Sequence, residues 1–103
     1  MNSSSISIRT ARRDDFVALW SLAALDSSVV PAEPLLVAEE DGEIVAATSL
    51  AGDDTIADPF RRTAGTVALL RLRASQHQER ERSAHRGLVA RLRERTHAVP
   101  AAQ

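Results

Sequence analysis

The chain has 103 residues, 44% apolar and 26% charged, with a formal net charge of −1. That length allows one small domain with a thin core, and 25 Leu, Ile, Val and Phe residues are too many for intrinsic disorder. The absence of Cys and Tyr excludes disulfides, thiolate nucleophiles, Cys-based metal sites and a phenolic acid.

Charge is unevenly placed. Residues 1–60 hold three Arg against eleven acids, and residues 61–103 hold ten Arg against three. Such asymmetry fits either a basic arm for an anionic partner or a basic helix that pairs with the acidic half of its own or a neighbouring chain. A chain this short buries only roughly 60–65% of its unfolded surface, so association with a protein partner or a second copy is expected. No apolar run approaches the ~20 residues of a membrane span, and the first five residues have neither a basic flank nor an apolar signal core. The expected location is the cytoplasm.

In chain order, Ile6-Ser7-Ile8-Arg9 alternates with period two and predicts a short strand with both Ile on one face. Thr10 is a candidate N-cap for a helix to about Leu25, with Asp14 and Asp15 near its positive end. Phe16, Leu19, Trp20 and Ala23 recur at i, i+3, i+4 and i+7, which predicts that this stripe, Trp20 included, packs in the core. Two prolines and small polar residues make 26–34 a loop, with Val29 and Val30 as its candidate anchors.

The runs 35–39 and 43–50 read as strands joined by Glu40-Asp41-Gly42, where Asp-Gly supplies the positive φ of a tight hairpin. Their nearly continuous apolar character suits central strands covered on both faces. Thr55-Ile56-Ala57 reads as a short fourth strand stopped by Pro59. From Arg61 the pattern is helical, as one helix or two, with Val67, Leu69, Leu70 and Leu72 as its apolar surface. Residues 75–83 have no core-facing residue, so they read as solvated helix, linker or disorder. Beyond them Ala84, Leu88 and Leu92 make a narrow stripe on a basic helix. The expected division is a domain over 1–74 and an Arg-rich tail over 75–103. The expected fold is α/β (α+β): a small, mostly antiparallel four-stranded sheet in β-α-β-β-β-α order.

That order resembles the first half of the GCN5-related N-acetyltransferase (GNAT) superfamily. Ile8-Arg9-Thr10-Ala11-Arg12-Arg13-Asp14-Asp15 is similar to the family's opening strand and helix start, and the run 36–46 to its second and third strands. The family's fourth strand ends in something like Val-Asp-Pro, followed by R/Q-x-x-G-x-G/A, whose backbone amides at a helix start hold the pyrophosphate of acetyl-CoA. Here Asp58-Pro59 is followed by Arg62-Thr63-Ala64-Gly65-Thr66-Val67, with Val67 where the family has Gly or Ala. The resemblance makes Arg62, Thr63, Ala64, Gly65, Thr66 and Val67 the candidate cofactor-binding residues. Physically, amides at a helix start attract phosphate, and a β-branched side chain there obstructs the close approach they need. The family continues with a fifth strand that splays from the fourth to open the cofactor cleft, and no apolar run of strand length follows Leu72.

Glu39 and Glu40, ending a strand, are the candidate catalytic bases. Arg61 and Arg62 are candidates for gripping an anion. His77, His85 and His97 are scattered, with no acidic ligand in register between the first two, so no metal site is expected. The reading that follows is an acetyltransferase-like domain without catalytic activity of its own, acting as an interaction module or dimer. The alternative is an acetyl-CoA-dependent N-acetyltransferase completed by a partner or second copy. A third reading is nonspecific nucleic-acid binding through the Arg-rich helix, although no aromatic follows Phe60 for base stacking.

Overall fold

A computed structural model describes residues 5–98, with side chains as far as Arg93. The order is β1 (Ile6–Thr10), α1 (Phe16–Leu25), β2 (Leu35–Glu40), β3 (Glu43–Ser49), β4 (Thr55–Ala57) and α2 (Ala64–Ala98). The four strands form one sheet in the order β1-β2-β3-β4, every neighbouring pair antiparallel. The two helices cover its opposite faces, which gives the mixed α+β architecture expected from the sequence.

The hairpin is locally determined. Asp41 and Gly42 both take positive φ, 52° and 88°, the geometry that lets a two-residue turn match the twist of its strands. Pairing between β2 and β3 steps from Ala38↔Ala46 to Glu39↔Ile44, so Val45 is an extra residue on β3. Ser49 Oγ accepts the N–H groups of Ala51 and Gly52 and so fixes the turn into β4.

On one face Leu19, Leu22 and Ala23 of α1 pack on Leu35, Val37, Ala47 and Ile56. Trp20 is not among them: it is 70% exposed. The stripe that faces the sheet is rotated from the expected one because polar residues anchor both ends of α1. Asp15 pairs with Arg9 of β1, and Asp26 Oδ2 accepts the N–H of Ala57 on β4 at 3.1 Å. Eleven residues apart, or about three turns, these two carboxylates lie on one side of the helix and set its rotation. Thr10 ends β1 instead of capping α1, and Asp15 Oδ2 takes the N–H of Arg12 at 2.6 Å. α1 ends with Ser27 at φ 51° and Ser28 N–H bonded to the carbonyl of Ala23, a Schellman closure. In the following loop Val30 packs on the core, whereas Val29 points to solvent.

On the other face Leu70 meets Ala38 and Ala46, with Ile8, Leu36, Ala57 and Val67 around them. α2 starts at Ala64 rather than Arg61, because residues 58–62 form a turn in which Asp58 Oδ1 accepts the Phe60 N–H at 2.9 Å. It then continues as one helix through Ala98, across the whole of 75–83. Thr66, Leu70 and Ala74 are its buried residues, while Leu69 and Leu72 lie exposed. The last anchor to the sheet is Gln78 Nε2, which donates to the Leu50 carbonyl at 3.0 Å. At 1.5 Å per residue α2 is about 52 Å long. It projects well past the sheet and stretches the molecule to 70 × 30 × 21 Å. Among the described residues, no helix is long and apolar enough to cross a membrane. Val99 lies outside the described residues, and the His97 side chain is not described.

Candidate functional site

The candidate site lies where β4 turns into α2, beside the β2–β3 hairpin. Its first component is Arg61. Its guanidinium reaches Glu40 at 3.2 Å and Asp58 at 3.4 Å and also pairs with Glu43. The charge of Glu43, foremost among these partners, raises the Arg61 pKa above its ordinary value. Three carboxylates thus occupy Arg61, which fastens the start of α2 to the hairpin and has no fork left over for an incoming anion.

The segment Arg62 to Val67 divides into two sets. Arg62, Ala64 and Gly65 are exposed, and a methyl group added at Gly65 would meet nothing within 4 Å. Thr66 is buried, Thr63 and Val67 half-buried, and Val67 packs inward against the Ala38, Ala46 and Leu70 cluster. The β-branched side chain expected to obstruct a phosphate therefore faces the sheet. The first helical amides, which have no intrahelical acceptor, lie in this exposed stretch. Val67 N–H is the first to close a turn, onto the Thr63 carbonyl at 2.7 Å.

Glu39 and Glu40 are separated by the pleat of β2, one toward the α1 face and the other toward the start of α2. They are not a carboxylate pair. Glu39 accepts from Arg9 Nε and Nη2, each at 3.2 Å, and Arg9 also grips Asp15 at 2.8 and 3.0 Å. Hydrogen bonding from Arg9, foremost, draws the Asp15 pKa down to about 2, and the two carboxylates raise that of Arg9. This Arg9–Asp15–Glu39 cluster joins β1, β2 and the start of α1. A groove of about 450 Å³, lined by Asp15, Leu22, Glu39, Glu43, Asp58 and Arg61, runs between it and the Arg61 cluster.

The sequence reading missed the anchoring roles of Arg9, Asp15 and Asp26. The eleven-residue interval between the two Asp was the available signal. Asp26 also covers part of the β4 edge, taking an N–H that would otherwise be open to another strand. His77 lies 3.6 Å from Glu81 on its own helix, and no group of three His, Asp or Glu that could hold a metal ion occurs among the described residues. No family model, curated protein or solved structure matches this chain.

Proposed function

We propose that this chain is an acetyltransferase-like domain that works as an interaction module, binding a second copy or another protein, rather than as an acetyltransferase in its own right. The observation that carries this reading is α2. Where the acetyltransferase pattern turns back into a fifth strand, residues 64–98 form one continuous helix. The cleft that a splayed strand opens beside β4 therefore has no counterpart among the described residues. The carboxylates proposed as bases are engaged in ion pairs with Arg9 and Arg61 that fasten elements of the fold together. The part of α2 beyond Gln78 presents apolar and basic side chains to solvent, a surface suited to a partner.

A second reading, acetyl-CoA binding completed by another copy, is favoured by the open approach at Gly65 and the inward Val67. Thermal unfolding with millimolar acetyl-CoA, paired with calorimetric titration, separates the two. The expected result is no saturable shift in Tm. Ligand at a hundred times Kd would add about 2.7 kcal/mol, several degrees for a domain of this size, and such a shift would replace the first reading with the second.

A further inference from the structure

Two exposed surfaces of this chain fit each other. The first is the outer face of α1. The helix Phe-Val-Ala-Leu-Trp-Ser-Leu-Ala-Ala-Leu contains no charged residue and one hydroxyl, a composition that normally belongs to a helix covered on all sides. Only one side is covered here. Val17 is 81% and Val29 79% exposed, and Val29 with Trp20 borders a shallow groove of about 390 Å³ floored by Ala23 and Ala24.

The second surface is the overhang of α2. Leu88 follows Leu70 by eighteen residues, five full turns, so it returns to the side of the helix that faces the sheet. Ala84 and Leu92 flank it on that side. Leu70 is fully buried, whereas Leu88 is 52% exposed. The sheet-facing stripe thus continues beyond the sheet that it covers.

We propose that two copies associate by exchange, the α2 overhang of each lying along the outer face of α1 of the other, with Leu88 seated between Trp20 and Val29. This deepens, and rests on, the interaction-module reading by naming the partner as a second copy. Three observations favour that occupant. Leu70 and Leu88 are about 27 Å apart along the helix, so the overhang reaches well clear of the sheet that Leu70 covers. A second domain placed beside the first therefore falls under the overhang. Because α1 and α2 lie on opposite faces of the sheet, a twofold axis parallel to the sheet turns the neighbour's α1 up toward the stripe, and both contacts form at once. Charge supplies the third. Residues 79–93 hold five Arg against two Glu, so pairing overhang with overhang brings like charges together, whereas exchange sets the basic helix on an α1 that carries no charged residue.

Trp20 is the only Trp in a chain without Tyr, so its fluorescence reports the seat directly. The test follows Trp emission and sedimentation of the full chain from sub-micromolar to high micromolar concentration. The expected result is a monomer–dimer transition with a parallel blue shift. Leu88→Glu weakens association at least about a hundredfold, because the lost contact occurs twice. Trp20→Glu does the same by sedimentation, and Ala90→Glu, on the far side of α2, leaves the dimer intact. Mixing the Leu88→Glu and Trp20→Glu chains recovers part of the association, since that pair keeps one intact seat of the two.

A wild type that stays monomeric overturns the exchange. So does dissociation by only one of the two substitutions, or a mixture that fails to associate. Acetyl-CoA titration of the same samples keeps the two proposals apart. A monomer that ignores acetyl-CoA sinks only the exchange, and saturable acetyl-CoA binding sinks the interaction-module reading whatever the oligomeric state.

Discussion

Replacing Leu70 by alanine is expected to cost about 3–4 kcal/mol in urea unfolding and to remove a disproportionate share of the helical circular-dichroism signal. Leu70 is fully buried against Ala38 and Ala46. Those small partners let α2 approach the sheet closely, and they cannot swell to fill the space that the leucine leaves. The loss therefore combines transfer and cavity terms, which together place leucine-to-alanine changes at about 2–5 kcal/mol. A domain of this length has a total stability of only about 5–15 kcal/mol. The effect on helicity follows from the shape of α2. Thr66, Leu70 and Ala74 are the buried residues that hold a 35-residue helix, and the turns beyond Gln78 have no sheet beneath them. Most of the stability of a protein helix comes from packing, so loosening its first turns exposes the rest to fraying. Leu72→Ala is the control. Leu72 is exposed on the far side of the same helix, and its truncation is expected to change stability by no more than about 0.5 kcal/mol.

What the sequence revealed of this fold was the part encoded locally. Asp41-Gly42 dictates its own turn, and the apolar runs on either side of it are strands wherever they pack. The rotation of α1 was not legible, for a physical reason. A helix apolar nearly all round has no face preferred by hydrophobicity alone, so the choice passes to Asp15 and Asp26, whose partners Arg9 and Ala57 lie elsewhere in the chain. The continuity of α2 was ambiguous for a related reason. Residues 75–83 bury no apolar side chain, and burial is the main signal that separates helix from linker. Local pairs support the helix there instead: Glu79 meets Arg82 at 2.8 Å and Arg86 at 3.4 Å. The same division holds at the candidate site. Alternation along β2 already separates Glu39 from Glu40, but only tertiary structure shows that Arg61 is consumed by three acids while Arg62 stays exposed.

Replacing Asp15 by alanine is expected to cost about 2–4 kcal/mol, although its aspartate sits at the start of a helix where a capping role alone would be worth about 1. The difference lies in Arg9. The Asp15 side chain is only 9% exposed and takes both arms of the guanidinium, so its removal leaves a largely buried cation with the longer contacts to Glu39 alone. The pH dependence gives an independent check. The hydrogen bonds from Arg9 hold the Asp15 carboxyl down to about 2 in the folded protein, against 3.8 for an unperturbed aspartate. A carboxyl with a depressed folded pKa stabilises above its unfolded pKa, and that stabilisation is lost as pH falls from roughly 4 toward 2. With solvent screening allowed for, the contribution is about 1–2 kcal/mol. Wild-type stability should therefore fall over that window, and the Asp15→Ala curve should fall less, so the gap between the two narrows with acid. Glu39→Gln should cost less than Asp15→Ala, because Glu39 is more exposed and its contacts with Arg9 are longer. If Glu39→Gln costs as much, then Arg9 is held chiefly from β2, and the rotation of α1 is set by Asp26 and the leucines instead.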